Sequence, residues 1–350
     1  MTKSRVMHQI IVFGVPAFFA ISAAAHHGPN SEPLYDTSQL VELEGEVTEV
    51  FWRNPHARFR IRVTAGPQTG EIWEMETNPP GPLRNGGFTP ELLPIGSEVK
   101  VAGSVSRRKP RSMGLLNLLL PNGLEFVDIV SSRSAPLRFS EEKLTLETVQ
   151  VSQERIEAAR QEAEGIFRVW VQGRAGLGNV DDSELTEAAK AVKATFDPET
   201  DSGILECKPP GMPTALIQPS YHEFVDEGST IKFHINEYDL VRTIHMNSDL
   251  DPEAQPATPL GFSVGRWEGE TLVVTTTRLD WPFLDRIGSP QSANAMHIER
   301  FTPSANGQTM DYERTTTDPV YLIGSGTSTR TTFHWRPGME IEPYECQLWE

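Results

Sequence analysis

The 350-residue sequence is short of basic residues, of cysteine and of long apolar runs, and each shortage excludes a class of protein. Lys and Arg number 31 against 48 Asp and Glu, which gives a formal net charge of -17. A nucleic-acid-binding protein carries a basic face, so this balance argues against a nucleic-acid partner. After residue 25 no apolar run is long enough to cross a bilayer, so we expect no membrane span in the mature chain.

The first 25 residues have the pattern of a cleaved secretory signal. Lys3 and Arg5 form a positive start, and residues 10–21 form an apolar run that is too short for a membrane span. Residues 23–25 are alanines and provide a small-residue cleavage site. We therefore expect residues 1–25 to be a signal peptide and the protein to be periplasmic or secreted.

The chain contains two cysteines, Cys207 and Cys346, which flank its second half. An exported protein folds in an oxidising compartment, so we expect them to form a disulfide, and two buried thiols are the alternative. Closing so long a loop would stabilise the fold by about 4–5 kcal/mol as an upper value.

Alternating apolar and polar residues predict a mainly β fold with two β domains. Residues 41–50, VELEGEVTEV, alternate as a half-buried strand does, and further short alternating runs follow them. We predict a small N-terminal β-barrel over residues 26–135, of the oligonucleotide- or oligosaccharide-binding type or similar. Residues 201–350 contain roughly nine strand-like runs, which predict a larger antiparallel β-barrel or sandwich able to hold a ligand.

Residues 136–200 change to a helical period and predict a helical bridge between the two β domains. A second predicted helix covers residues 184–196 and ends before Pro198. The apolar residues on one face of the first predicted helix are Ile156, Ala159, Ala163, Ile166, Phe167 and Trp170.

The run Trp-Arg-Asn-Pro-His at residues 52–56 is similar to the hallmark of a family of exported, uncharacterised bacterial proteins. Mature chains of that family begin with a His-His pair, which here is His26 and His27, although Gly28 stands where the family has Ser. The resemblance covers roughly residues 26–130. It implies export and a small β domain, and it implies no reaction.

Residues 207–346 resemble a second family of exported bacterial proteins of unknown function. The resemblance rests on a Cys-x-Pro-x-Gly-x-Pro start, on the hairpin sequence GFSVGRWEGETLVV at residues 261–274, and on the His-Ile-Glu-Arg run at 297–300. The family has histidines where this chain has Asn-Ser-Asp-Leu-Asp-Pro at 247–252 and Pro-Gln-Ser at 290–292. An activity that needs those histidines is therefore not implied for this chain.

His297 and Glu299 are two positions apart on a predicted strand, so their side chains face the same side. If that side is the barrel interior, His297 would be a general base, Glu299 would orient it, and His245 from another strand would face them. This arrangement predicts the acid–base chemistry of a lyase or hydrolase. The alternative is a buried hydrogen-bonded network that specifies the barrel, and the sequence leaves open whether a reaction is catalysed.

Aromatic and charged residues of the C-terminal barrel are candidates for ligand binding, and two of them, Asp280 and Asp285, lie near Trp281 in the loop at one predicted mouth. A pocket lined by aromatic rings is the default binding site of such a shape, so our leading interpretation is a protein that binds a small apolar or aromatic molecule. The candidate residues are Trp267, Trp281, Asp280, Asp285 and Arg300.

Three arginines of the same half are interpreted as members of ion pairs. Pairing with acidic residues of the same half is the expected arrangement. The arginines are Arg242, Arg266 and Arg300, and their candidate partners are Glu268, Glu270 and Glu299.

The predicted mature N-terminus forms a candidate copper site. If cleavage follows residue 25, a terminal amine lies beside the imidazoles of His26 and His27, and copper favours such nitrogen ligands. His56 follows a turn and would join them. The alternatives are a solvated His pair and a histidine that bonds the backbone beside its turn. No other cofactor is indicated.

Overall fold

The computed structural model is mainly β. The predicted signal peptide and the two candidate copper ligands, His26 and His27, lie outside the residues that it describes. Within the described residues no helix is both long enough and apolar enough to cross a membrane. The described residues are 35–127, 136–145, 151–173, 178–197, 200–201, 203, 206–217, 220–247, 249–341 and 343–348.

The N-terminal unit is a curled antiparallel sheet. Its elements are β1 (Tyr35–Phe51), β2 (Arg58–Val63), β3 (Ile72–Glu76), α1 (Pro80–Asn85), β4 (Glu98–Ser106), β5 (Ser112–Leu119) and β6 (Glu125–Val127). The long alternating strand β1 pairs with β2 along one edge and with β4 along the other. A parallel pairing of β3 with β5 closes the sheet on itself, as the predicted small barrel requires.

The C-terminal unit is a closed β-barrel, so the predicted barrel is confirmed and the sandwich alternative is not observed. Around the ring of described strands the order is β10, β11, β12, β13, β14, β15, β7, β8 and β9. These strands are β7 (Val169–Gln172), β8 (Tyr221–Asp226), β9 (Thr230–Ile235), β10 (Leu240–Met246), β11 (Phe262–Glu268), β12 (Thr271–Thr277), β13 (Met296–Pro303), β14 (Thr309–Thr317) and β15 (Thr327–Trp335).

One joint of the barrel departs from the predicted antiparallel arrangement. β10 and β11 run parallel, with Ile244 opposite Ser263 and Met246 opposite Gly265, whereas the other joints between the described barrel strands are antiparallel. The residues between the two strands return the chain to the end at which β10 began, which is what a parallel pair requires.

The prediction of the helical bridge is wrong for its first and longer helix. The helix α2 (Gln153–Glu162) begins at its Ser152 cap and ends well before Trp170, and α3 (Glu187–Lys193) is also short. Trp170 instead lies on β7, which pairs with β8 and β15 and completes the barrel. Val169, Trp170 and Val171 are β-branched or aromatic, and the barrel buries Trp170 completely, so tertiary burial outweighs the helical period.

Cys207 and Cys346 form the predicted disulfide, with their Cα atoms 5.8 Å apart. The bond closes a loop that contains most of the barrel. It thereby ties the segment that precedes β8 to the segment that follows β15.

The segment after β15 lies against the N-terminal unit. The predicted strand at residues 344–348 is reduced to a bridge between Cys346 and Asn54. The Gln347 amide donates to the Asn54 carbonyl at 2.8 Å, and the Asn54 side-chain amide donates to the Tyr344 carbonyl. A crevice of about 220 Å³ lies beside this contact, with Trp52 on its N-terminal side. The Trp-Arg-Asn-Pro-His run therefore holds the two units together.

Replacing both cysteines, as Cys207→Ser with Cys346→Ser, should lower the free energy of unfolding by up to about 5 kcal/mol, because the unfolded chain regains the entropy of an open loop. Urea denaturation followed by circular dichroism measures this loss. The wild-type protein in excess reductant is the control and should unfold with the double variant. Equal unfolding free energies for the oxidised wild type and the variant would contradict the expectation.

Candidate binding site inside the C-terminal barrel

The candidate site consists of inward-facing side chains on neighbouring barrel strands. Buried and partly exposed residues alternate along β13, so His297 and Glu299 both point into the barrel, as predicted. On the neighbouring strand β14, Thr316 lies opposite His297 and Arg314 lies opposite Glu299. None of these four residues is more than 4% exposed.

Glu299 is held by a buried ion pair with Arg242 on β10. Arg242 Nη1 donates to Glu299 Oε1 at 3.0 Å, and Nη2 donates to Oε2, so the two side chains meet fork to fork. Tyr312 adds a third hydrogen bond to Oε1 at 2.9 Å. The predicted pairing of Arg242 with Glu299 is confirmed, and Glu299 is thereby occupied by groups other than His297.

The guanidinium of Arg242 also binds two hydroxyl side chains. Its Nε donates to Ser263 Oγ at 2.9 Å, and its Nη2 donates to Thr276 Oγ1 at 2.5 Å. The two hydroxyl oxygens are themselves 3.1 Å apart. One side chain on β10 therefore connects to β11, β12 and β13, and the charge of Arg242 is fully compensated inside the barrel.

Two buried groups next to this network have polar atoms without a partner. His297 Nδ1 is 2.8 Å from Thr316 Oγ1, whereas His297 Nε2 bonds to none of the described residues. Burial, reinforced by the charges of Arg314 and Arg242, lowers the pKa of His297 well below its usual value, so the ring is neutral. Arg314 Nε and Nη1 are likewise without a hydrogen-bond partner among the described residues.

His222 on β8 adds a third buried group of this kind. Both of its ring nitrogens are unpaired within the described part of the chain, and its ring lies 5.6 Å from that of Phe233 and 5.2 Å from that of Phe333. Burial lowers the pKa of His222 to about 3, so this imidazole is also neutral at neutral pH.

The rest of the barrel interior is an apolar core of aromatic rings. Phe224 stacks on Phe233 with their ring centres 4.2 Å apart, and Phe301 lies 5.1 Å from Phe224. Tyr312 connects this cluster to Phe333. These rings contact one another, so this half of the interior is filled by side chains and stabilises the fold.

Residues 206–217 form a cover segment over the polar end of the barrel, which is the end that carries His297. Its Met212 is buried in the barrel core, and Trp281 donates its indole N–H to Thr214 Oγ1 at 2.9 Å. Trp281 belongs to the loop between β12 and β13, which leaves the barrel at the end that carries His297. The candidate Trp281 therefore holds the cover and lies outside the interior.

Three other predicted site residues lie on the outer face of the barrel. Trp267 is 41% exposed, and Arg300 pairs with Glu268 at 2.9 Å on the outside of β13. The expectation that His245 faces His297 is wrong, because on β10 it is an odd number of residues from the inward Arg242. His245 stacks on the Phe262 ring instead.

The two predicted aspartates lie in the loop between β12 and β13. Asp280 is exposed. Asp285 is buried, and its carboxylate accepts hydrogen bonds from the backbone amides of Val180, Ile287 and Ser289. Asp285 therefore organises the loop that holds the cover segment, and the structure does not bring either aspartate to His297.

The residues that complete the site were not among the candidates. A signal for Arg314 is present, because along TMDYERTTT it shares the phase of Met310 and Tyr312, which reads as the buried face. His222 shares the inward phase of Phe224 in the same way. A charged residue at a buried position of an alternating strand indicates a polar group inside the barrel.

His56, the third candidate copper ligand, contacts a carboxylate. Its Nδ1 lies 2.7 Å from Glu76 Oε1, and Arg58 pairs with the same carboxylate at 2.7 Å. Burial alone would raise the pKa of Glu76, but His56 and Arg58 outweigh it and lower that pKa to about 2. Within the described residues no cluster of three metal-ligating side chains occurs, and the copper site stays a prediction because His26 and His27 lie outside them.

Comparison with known proteins supports the N-terminal resemblance. A family of unknown function (DUF6152) matches residues 16–115, which run from the predicted signal segment into β5. No curated protein matches the chain. The resemblance of the C-terminal half to a second exported family stays a prediction.

Replacing Glu299 by Gln should destabilise the protein by about 3–5 kcal/mol, because Arg242 would then be buried without a counter-charge. The matched control is Glu268→Gln, since Glu268 pairs with Arg300 at the surface and should cost no more than about 1 kcal/mol. Urea denaturation of both variants measures the difference. Equal losses for the two variants would show that the buried pair is not the stronger contact.

The buried histidines should make the fold less stable in acid. Burial lowers their folded-state pKa values, so below the usual imidazole pKa of 6.5 the unfolded chain binds protons that the folded chain does not bind until about pH 3 at His222. The stability present above pH 6.5 is therefore lost as the pH falls through this window. His222→Phe should remove about 1.4 kcal/mol per pH unit from the slope of unfolding free energy against pH.

The control for this slope is His234→Phe, because His234 lies on the outer face of β9. Urea denaturation at half-unit pH steps compares the two variants with the wild type. A His222→Phe variant that keeps the wild-type slope would contradict the assignment of a neutral imidazole to the folded state.

Proposed function

We propose that the protein is exported and binds a small molecule inside its C-terminal barrel, at the polar end beside His297. Export is supported by the signal pattern of residues 1–25 and by the disulfide, which oxidising compartments favour. The ligand would enter from the end that residues 206–217 cover.

The observation that carries this proposal is the group of buried polar atoms without partners. Each such group costs about 1–3 kcal/mol when it is left unpaired, and a charged one costs more. Native proteins leave few polar groups in that state. Within the described residues, His297 and Arg314 bring three such atoms together on the neighbouring strands β13 and β14, beside an interior that is otherwise filled by packed rings. This arrangement supports a polar end reserved for another molecule.

The surroundings of this polar end support a ligand with an apolar or aromatic body. Tyr312 bonds to Glu299, and its ring lies 4.9 Å from that of Phe301, so the aromatic core borders the buried polar groups. A pocket with a few polar groups against apolar walls is the usual form of a small-molecule site.

A lyase or hydrolase is the second candidate function, and the geometry of His297 favours it. The ring is held through Nδ1 by Thr316, its Nε2 has no partner among the described residues, and burial keeps the ring neutral, which is the state that a general base needs. Glu299 does not orient it, since Arg242 and Tyr312 occupy that carboxylate. In this scheme Thr316 is the positioning residue.

Native mass spectrometry of the protein purified from the periplasm tests the binding proposal. We expect a mature chain that begins near residue 26 and retains a small molecule, which is released on denaturation. The variant Thr316→Met should lose that molecule, because the larger side chain enters the polar end. Thr315→Met is the matched control, since Thr315 faces outward on the same strand and should leave the molecule bound.

A molecule that Thr316→Met still retains would place binding elsewhere and overturn the proposal, as would a native spectrum of the exported wild type without any bound molecule. Incubating the recovered molecule with fresh protein separates the two functions. Its conversion by the wild type and by Thr315→Met, but not by His297→Gln, would establish the enzyme. Recovery of the unchanged molecule would establish the binder.

A further inference from the structure

We infer that the molecule held in the barrel is a monoanion, most simply a carboxylate, and that Arg314 is the residue that binds it. This inference rests on the proposed function and specifies the chemistry of its ligand. It follows from the charges inside the barrel, from the partners of the neighbouring carboxylates, and from the unpaired atoms beside Arg314.

The charges on the inward-facing side chains of the described barrel strands do not balance. Arg242 and Arg314 are positive, Glu299 is negative, and burial keeps His222 and His297 neutral. An arginine keeps its charge in a protein, so Arg314 cannot adapt by losing its proton as a buried lysine would. One positive charge is left over, and one negative charge would neutralise it.

The carboxylates nearest to Arg314 along the chain and across the sheet all have other partners. Glu299, directly opposite, accepts from Arg242 and Tyr312, and Glu313 points outward to Arg330 at 2.7 Å. Asp318, just beyond the end of β14, accepts from the amide and hydroxyl of Ser292 and from the amide of Val320. None of these side chains compensates Arg314, which forms no ion pair with any described residue.

The unpaired atoms suit a carboxylate. The planar guanidinium of an arginine matches the two oxygens of a carboxylate, and Arg314 has Nε and Nη1 free of other hydrogen bonds within the described chain. His297 lies diagonally across from Arg314 on the neighbouring strand. If the Thr316 hydroxyl donates to His297 Nδ1, then Nε2 carries the hydrogen and donates to the same anion.

A ligand-binding arginine and a structural arginine respond in opposite ways to removal of their charge. A structural Arg314 would stabilise the fold, so Arg314→Met would lower the melting temperature. An arginine buried without a counter-ion destabilises the ligand-free fold, so the same variant should melt at a higher temperature. Stability and binding should therefore change in opposite directions in this one variant.

The experiment measures the melting temperature by calorimetry for wild type, Arg314→Met and the control Arg300→Met, each after removal of bound molecules by unfolding and refolding. Arg300 lies on the outer face of β13 in an exposed pair with Glu268. Formate and benzoate are the anionic probes, and formamide and benzamide are their neutral counterparts at the same ionic strength. A ligand that binds the folded state raises the melting temperature with its concentration.

We expect at least one of the two acids to raise the melting temperature of the wild type and of Arg300→Met, and the amides to leave it unchanged. In Arg314→Met the acid should bind roughly tenfold more weakly or not at all, and the ligand-free variant should melt above the wild type. Together these results would support the inference.

Binding of an amide as tight as that of its acid would overturn the monoanion while leaving the small-molecule site in place. A lower melting temperature for Arg314→Met, with acid binding unchanged, would make Arg314 structural and would also overturn the inference. Absence of binding by every probe would overturn it too, and the native spectra of Thr316→Met would then decide whether the proposed function survives.

Discussion

The C-terminal barrel depends on the buried contact between Arg242 and Glu299. Each charge would be too costly to bury alone, and together with Tyr312, Ser263 and Thr276 they form a network in which both charged groups are satisfied. The network crosses from β10 to β13, so it also fixes how the strands of the parallel joint lie against their neighbours. With Glu299 engaged in this way, Arg314 on the neighbouring strand has no counter-charge among the described residues.

The barrel interior thus divides into two halves with different physical roles. Rings of phenylalanine fill one half and contact each other, as in any well-packed core. The other half carries His297 and Arg314, whose buried polar atoms lack partners among the described residues and therefore weaken the fold. Natural proteins commonly retain such destabilising groups where function needs them. The cover segment, whose Met212 is buried in the barrel core, lies over this half.

Alternation along single strands predicted the parts of the fold that depend on local pattern. It predicted the two β units and the shared inward face of His297 and Glu299, and the predicted export of the chain to an oxidising compartment led to the expected disulfide. It gave a wrong prediction at Trp170, where burial in the barrel outweighs a helical period. It was also wrong at His245, which is three residues from the inward Arg242 on β10 and therefore faces outward. Arg314 was missed because its role depends on which strand lies beside β13, and pattern within one strand does not contain that information.

The parallel contact between β10 and β11 follows from simple counting. Strands that alternate in direction can close into a ring only when their number is even, and the described ring contains nine. An odd ring must place two neighbours that run the same way side by side. Parallel pairs are slightly weaker for each residue, and this one spans three residue pairs, so the hydrogen bond from Arg242 on β10 to Ser263 on β11 adds a side-chain contact across it. If such a barrel gains or loses a two-strand hairpin, the number of strands stays odd and the parallel contact remains. Adding or deleting a single strand makes the number even, and the ring can then close without a parallel contact.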